Sequence, residues 1–502
     1  MNLLFTLIKL HLITPRGIFR LLQSFVSEGL TSMSLLRFAS KYYPENTAIV
    51  SESERLTYKQ FYKKAILLSA ILKRNFNIQN SDNVALICRN HIISALLLPS
   101  LQRIGANTKA LNTDFSVENF QQILSKQKFK LLIYDDEFLS KIPLIVNCKA
   151  VTSKYLATFL NDTKVSPAPL PRLKFFKSPN ISVVTGGTSG GYKEASRKPS
   201  VFQFLPPFFS LLRDIKIQRY QNVLIALPFY HGFGLCTLII SILMGKKICL
   251  ARYFDAENIL QTINNEQIDI FPAVPVMLTR MWDVFLSTTK FHDIKNYLRC
   301  IICGGDRLDK KLVNQTSEIF GDILYNLYGT SEAGFFMLAT PNDLKINAES
   351  TIGKPIFGVK CEIRNPDSNG VGTFWAKSPW AVTSLRNCWQ STGDRVSMNE
   401  SGYYFYHGRE DRMVVCGGEN VYPEDLERAL CELNFVTAAK AFPMPDKDFG
   451  TVLNVKIELK KGTEISSEGI VNYLKTKITR AAMPHKIEFG NIKSLSTGKT
   501  AI

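Results

Sequence analysis

Between Gly408 and Glu427 the chain reads Gly-Arg-Glu-Asp-Arg-Met-Val-Val-Cys-Gly-Gly-Glu-Asn-Val-Tyr-Pro-Glu-Asp-Leu-Glu. A strand-like run ends in the charged turn Arg409 to Arg412, and a short apolar strand then meets Gly417-Gly418. Pro423 follows at the first-turn position of a helix, where its missing N–H costs nothing. A charged turn that closes one unit, followed by a proline-opened helix that begins another, reads as a hinge with a new domain beyond it. The 502 residues, 45% of them hydrophobic, are in any case too many for one ordinary core, so roughly two to four domains or subdomains are expected.

Upstream of the hinge, from about Thr31 to Tyr155, helix-period and strand-period stretches alternate, with strands expected at Asn83 to Ile87 and near Lys130 to Tyr134. Leu156 to Ser178, rich in Pro, Lys and Thr, reads as a linker or irregular loop. The rhythm resumes at Asn180 and continues through Val223 to Leu227, Ile268 to Phe271 and Leu298 to Cys303. Shorter alternating strands between Gly353 and Val396 predict a small β subdomain, and helices are expected near Pro423 to Asn434 and Ser467 to Ile478. Alternation of this kind predicts an α/β fold with largely parallel sheets. The expected division is an N-terminal segment, 1–30, a large N-terminal domain of layered α/β subdomains plus the small β subdomain, 31–408, and a small α+β C-terminal domain, 409–502.

The net charge of +18 admits nucleic acid, acidic lipid or a polyanionic small molecule as partner. The basic residues are spread along the chain with no long run, which disfavours a nucleic-acid arm. No stretch reaches the ~18 to 20 uncharged apolar residues that cross a bilayer, and Gly232 to Gly245 reads as a buried helix. Residues 1–30 combine Leu3, Leu4, Phe5, Leu7, Ile8 and Leu10 with Lys9, Arg16 and Arg20, without the small-residue cleavage site of a secretory signal. Two readings of this segment stay open: a helix lying on a membrane surface, or a helix packed on the body of the protein. Ten cysteines at irregular spacing, several in apolar runs, fit reduced thiols in a cytoplasmic protein. The CxxC at Cys300 and Cys303 encloses two isoleucines, the mark of a buried strand and not of zinc.

Several short motifs carry chemistry. Ser182-Val183-Val184 leads into Thr185-Gly186-Gly187-Thr188-Ser189-Gly190-Gly191-Tyr192-Lys193, where glycines let backbone N–H groups approach phosphate oxygens and hydroxyls with one lysine add donors. A Walker A loop fails on spacing, because Tyr192 stands between Gly191 and Lys193. Taken alone, such a loop can also be a plain surface connection. Leu227 to Gly234 delivers Phe229, Tyr230 and His231 to a turn after an apolar strand, although a lone histidine is more often structural. Cys303-Gly304-Gly305-Asp306-Arg307-Leu308 and Asn326-Leu327-Tyr328-Gly329-Thr330-Ser331-Glu332-Ala333-Gly334 each look like a strand followed by a helix start. Ser391-Thr392-Gly393-Asp394-Arg395 offers a turn aspartate, and Leu495-Ser496-Thr497-Gly498-Lys499 ends the series close to Ile502.

In their order along nearly the whole chain, these segments resemble the motifs of the adenylate-forming superfamily, the acyl-CoA and aryl-CoA ligases and their relatives. The glycine loop departs from that family's Thr-Ser-Gly-Thr-Thr-Gly-x-Pro-Lys at Gly186, Ser189 and Tyr192. The resemblance implies ATP, Mg²⁺ and CoA. By it, Thr185, Gly187, Thr188, Ser189, Gly190 and Lys193 would hold phosphates, and Gly304, Gly305 and Asp306 would border adenine. Tyr328 would stack on the base beside Gly329, Thr330 or Ser331 would lie near the α-phosphate, and Glu332 would carry Mg²⁺, for which one protein carboxylate suffices. Asp394 would accept from the ribose hydroxyls, and Arg409 would contact ribose or phosphate. Asp411 would be the pivot that makes the C-terminal domain mobile, with Gly417 and Gly418 admitting the pantetheine arm. Lys499 would offset charge developing between carboxylate and α-phosphate. The catalytic set so implied is Lys499, Thr188, Glu332 and His231, the last as a pocket wall near the reacting carboxylate.

Arg89-Asn90-His91 and Leu111-Asn112-Thr113-Asp114-Phe115-Ser116 look most like bacterial fatty-acyl-CoA ligases. The implied reaction joins Mg-ATP and a carboxylic acid, here a fatty acid, as acyl-adenylate, from which a pantetheine thiol takes the acyl group as a thioester. Two rivals stand beside it: a ligase loading an acyl-carrier protein in place of CoA, and a non-catalytic relative that binds nucleotide or lipid. Nucleic acid is not an expected partner, and peripheral contact with a membrane stays open.

Overall fold

The computed structural model describes residues 7–8, 10, 12–142, 148–160, 179–186, 192–197, 201–347, 349, 351–410, 412–433, 435–459, 465–490 and 492. Two sheets form the large unit. The first has the strand order Lys149–Thr152, Leu131–Tyr134, Asn83–Ile87, Asn107–Leu111, Ile181–Gly186, Tyr192–Arg197, all parallel except the last pair. The second runs through thirteen strands, and its centre is parallel: Leu324–Thr330, Cys300–Gly304, Ile270–Ala273, Asn222–Ile225, Lys247–Leu250 and Thr47–Val50.

The sequence accounts for these central strands directly. Cys300–Gly304 and Ile270–Ala273 are buried at every position, as a strand covered on both faces must be. Pro272 lacks the N–H a central strand needs, and pairing between its strand and Asn222–Ile225 is confined to Ile270 with Val223. Both CxxC cysteines are enclosed in that first strand with free thiols, their pKa values raised by burial.

Three details depart from the sequence expectations. Leu156 to Leu160, expected in a linker, finish the helix Ser153–Leu160, because Leu156 and Leu160 fill the core beside Val151; residues 161–178 lie outside the described set. The strands from Thr351–Pro355 to Tyr404–Arg409 do form an antiparallel group, but they continue the large sheet through Met337 with Pro355 and Leu338 with Lys354. The segment Asn326 to Gly334 does not open a helix: Leu324–Thr330 turns back into the antiparallel strand Gly334–Ala339, whose Phe336, Met337, Leu338 and Ala339 are all buried.

Beyond the hinge, the hairpin Val414–Cys416 with Glu419–Val421 leads to a separate three-stranded sheet in the order Val436–Asp446, Gly450–Leu459, Pro484–Phe489. The helices Pro423–Cys431 and Ser467–Lys477 cover it, and Leu426, Leu430, Leu453, Val455, Ile457, Ile470 and Leu474 make its own core. Among the contacts of this unit with the large one, two lie away from the hairpin. Arg280 donates from Nε to the Asp448 carbonyl (2.9 Å) while stacking on Phe449, and Lys447 pairs with Asp283 at 3.2 Å. On the other side Ser116 donates to the Lys477 carbonyl, and the Lys477 ammonium reaches Glu118 at 3.4 Å.

Candidate active site

The carboxyl ends of the central strands, the two-glycine hairpin and the helix Gly232–Leu243 enclose a cavity of about 1520 Å³. Ligands of open parallel sheets bind in the crevice at such strand ends. Its wall includes Gly304, Gly305 and Asp306 after one strand, Tyr328 to Glu332 at the end of the next, Asp394 and Arg409 from two neighbouring strands, and Gly417 and Gly418 from the hairpin. His231 lies on the same wall as Glu419, 188 positions away, so distant segments converge on one space.

Asp394 is the most enclosed carboxylate of the group, 5% exposed. Its Oδ1 accepts from Arg409 Nη1 at 2.8 Å, its Oδ2 accepts from the Tyr328 hydroxyl, and the same Arg409 nitrogen donates to the Thr392 carbonyl. Burial first, then the Asp394 charge beside it, pushes the Tyr328 hydroxyl well above its ordinary pKa, so Tyr328 remains a donor at any working pH. Gly393 makes this packing possible: its φ is 73°, and a Cβ there would stand 2.5 Å from Arg409 Nη2. Asp306, on the same wall, has its carboxyl pushed up to about 6 by burial, with Asp309 adding to the shift.

At the hairpin side, Gly418 has φ 90°, which places its bare Cα against Val274 and directs the next residue inward. That residue is Glu419. Its carboxylate accepts from Asn112 Nδ2 at 3.0 Å and meets His231 Nε2 at 2.9 Å. Burial works against the His231 imidazolium, but the Glu419 charge and hydrogen bond, with Asp114 behind them, outweigh it and raise its pKa. Asn90 holds the loop that carries His231, donating to the Leu227 carbonyl (2.9 Å) and accepting from the Phe229 N–H (3.1 Å).

Glu419 and Asn112 are functional candidates that motif reading passed over. Glu419 was signalled only as the acid that follows the two glycines, and its partner lies 307 positions away. The apolar arm of the cavity starts where the sequence placed pocket walls, near His231 to Leu238, and reaches further than that expectation. It follows the helix Gly232–Leu243 along Leu235, Cys236, Ile239, Ile240 and Leu243, and continues past Phe204 and Phe208 to Phe25 and Leu30. Of the remaining expected residues, Thr185 pairs with Lys193 across the hairpin Ile181–Gly186 and Tyr192–Arg197. Gly187, Thr188, Ser189, Gly190, Asp411 and Lys499 lie outside the described residues.

A family model for the AMP-binding enzymes matches residues 36–384, well over half of the sequence. The chain belongs to the AMP-binding enzyme family. Among its relatives, the 2-succinylbenzoate–CoA ligase of Lactococcus lactis subsp. lactis (strain IL1403) is 24% identical over 466 residues, spanning 91% of this chain and 96% of the relative. A double mutant of the o-succinylbenzoate CoA synthetase of Bacillus subtilis, bound with its product analogue OSB-NCoA, superimposes with a TM-score of 0.79 at 20% identity, covering 93% of this chain and 97% of that one. The same Bacillus subtilis synthetase in complex with ATP and magnesium gives a TM-score of 0.65 over 93% and 97% of the two chains, also at 20% identity. Both structures share the family's mixed α/β fold, with a large N-terminal and a smaller C-terminal domain. Their names concern 2-succinylbenzoate, so the expectation of a fatty acid rests on this chain's residues and not on these relatives.

Proposed function

We propose that the protein is an AMP-forming acid–thiol ligase that activates a fatty acid as acyl-adenylate and transfers the acyl group to CoA. One observation carries this reading: a single cavity joins a charged end, built from Asp394, Arg409, Tyr328 and Glu332, to an apolar arm that follows the whole of Gly232–Leu243. That helix has 12 residues and is about 18 Å long, so a cavity lined along it suits an extended acyl chain. The charged end fits Mg-ATP. Asp394 offers a buried carboxylate to a ribose diol, Arg409 beside it offers a guanidinium to phosphate, and Glu332 supplies the one carboxylate a phosphate-bridging Mg²⁺ requires. Bound there, Mg²⁺ would neutralise charge on the phosphates during transfer.

In the first step a carboxylate oxygen attacks the α-phosphorus, the α–β bridge breaks and pyrophosphate leaves. In the second a pantetheine thiolate attacks the acyl carbon, the carbon–oxygen bond of the mixed anhydride breaks and AMP leaves. The two steps need different surroundings, and the hairpin supplies the second. With Gly417 and Gly418 on the cavity wall and Glu419 holding His231 aside, this arrangement of the domains fits thioester formation. Residues 409–502 then turn about Asp411 to bring Lys499 in for the first step, with Thr188 and its loop on the phosphates. Hinged closure commonly completes and dismantles a site in this way.

A second reading, an acid carrying another polar group such as 2-succinylbenzoate, has one observation in its favour. The Lys246 ammonium borders the cavity, its pKa lowered to about 8 by burial, though it already donates to the Ile217 and Tyr220 carbonyls. Pyrophosphate exchange against acids from acetate to long-chain, aromatic and 2-succinylbenzoate, with CoA or a carrier protein then added as acceptor, tests both. Exchange greatest with long-chain acids and thioester formed on CoA is expected. Exchange only with 2-succinylbenzoate, or none with any acid, overturns the proposal.

A further inference from the structure

The helix Pro15–Glu28 is held by its inner face and apolar on its outer one. Glu28, 3% exposed, is gripped by Arg103 Nε at 2.7 Å, the Tyr62 hydroxyl at 2.8 Å and Arg37 Nη1 at 3.3 Å, while Thr14 caps the first turn by accepting from the Gly17 N–H. Turned outward are Ile18 (43% exposed), Phe19 (67%), Leu22 (54%) and Val26 (55%). Their spacing of one, four and eight positions puts them in a single stripe, on a helix too firmly anchored to roll it inward. A soluble surface has no use for four large apolar side chains in a row.

The polar residues around the stripe have one sign. Arg16 is exposed, Arg20 stacks on Tyr42 and donates to the exposed Lys41's carbonyl, and no Asp or Glu occurs from Leu12 to Ser27. The chain as a whole carries +18. Phe25, one turn from Leu22 and adjacent to Val26, lines the same cavity as the apolar arm, together with Leu30. From these features we infer that this helix seats the protein on the surface of an anionic lipid bilayer, with Ile18, Phe19, Leu22 and Val26 in the acyl boundary. The acid then passes from the bilayer into the arm past Phe25. Four side chains fall well short of the ~800 Å² per partner that a specific protein interface buries. Interfacial insertion needs only an apolar face and basic flanks. The entry of the acid rests on the fatty-acid reading above; the seating on lipid does not.

Vesicle flotation of the full chain separates the two. The wild type is expected to float with phosphatidylcholine vesicles containing phosphatidylglycerol, less with phosphatidylcholine alone, and less as salt rises. The double variant Phe19→Ser, Leu22→Ser, made at exposed positions and checked for an unchanged melting temperature, should partition about 100-fold more weakly, since each buried side chain contributes on the order of tenfold or more. It should keep the wild-type rate on a soluble short acid and lose rate on a long-chain acid presented in vesicles. A wild type that stays unbound at any lipid composition, or a double variant that floats as well as the wild type, overturns the inference. So does a stripe that proves to bury itself in a dimer which the double variant dissolves. If flotation behaves as expected while no acid is activated, the membrane seat stands and the fatty-acid reading falls.

Discussion

The two ends of the cavity are built by opposite rules. The charged end consists of a few polar residues at strand termini, each pinned by a named partner: Asp394 by Arg409 and Tyr328, Glu419 by His231 and Asn112. The apolar arm consists of side chains from helices distant in sequence, Phe25, Phe208, Ile240 and others, none with a directed bond to the space it borders. At the first end, removing one group strands another; at the second, only the shape of the space changes. Substitutions should therefore act very differently at the two ends.

The sharpest test of that contrast is Asp394→Ala. It removes the carboxylate that pairs with a part-buried guanidinium and accepts from a buried hydroxyl, a loss of about 3–5 kcal/mol when one partner of a buried pair is removed. Pyrophosphate exchange should fall at least ~100-fold with every acid. A variant that loses exchange with long-chain acids alone would break the distinction between the ends. Next in size is Cys236→Trp. Cys236 is exposed to the arm midway along Gly232–Leu243, so an indole there blocks the channel without disturbing the buried Leu235 and Leu238. The kcat/KM for long-chain acids should drop ~10- to 100-fold, the loss of a few buried methylenes, while acetate or butyrate keeps its rate. Equal loss for all lengths would mean the acyl chain lies elsewhere.

The same contrast explains what the sequence made legible. Glycine-flanked acids and hydroxyls after apolar strands, such as Thr330 to Glu332 and Thr392 to Asp394, announce themselves because close backbone approach demands glycine and charge at fixed offsets. The parallel centre was equally readable, since strands buried on both faces have no polar alternation to confuse them. Outside His231 to Leu238 the apolar arm left no local mark: Phe25 and Ile240 look like any core residue until packing leaves a space between them. The turn at Ser331 to Ala333 was misread as a helix start because a hydroxyl accepting from an N–H three residues on, Thr330 from Ala333, occurs in turns as well as helix caps. The burial of Phe336 to Ala339 decides for a strand, and that depends on strands far along the chain.

Between the two ends lies the bridge of His231 to Glu419, which joins the large unit to the small one. Because Glu419 raises the His231 pKa, the charged pair holds the units together fully below the ordinary histidine value and fades as pH rises through the elevated one. Thioester formation from supplied acyl-adenylate should show that decline, and Glu419→Gln should remove it while lowering the rate up to ~10-fold, the scale of one charge-assisted hydrogen bond. Adenylate formation should change far less. An unaltered pH profile in the variant would assign the decline to another group.

The smallest effect is expected at Asp306, where burial is the main cause and Asp309 adds to it. Its carboxyl, pushed up to about 6, is neutral in the folded protein at a pH where the unfolded chain has already released the proton. Stability from this group is therefore greatest below pH ~4 and is lost as pH rises through about 6, the reverse of a paired carboxylate. Asp306→Asn should raise the melting temperature by a few degrees at pH 7 and by nothing at pH 4, the scale of roughly 1 kcal/mol in a large chain. The gain should vanish when ATP is present if Asp306 borders the base, because the acid then has a partner that the amide does not reproduce. A variant stabilised equally at both pH values would show that Asp306 is strained for some reason other than its charge, and would remove it from the nucleotide end of the cavity.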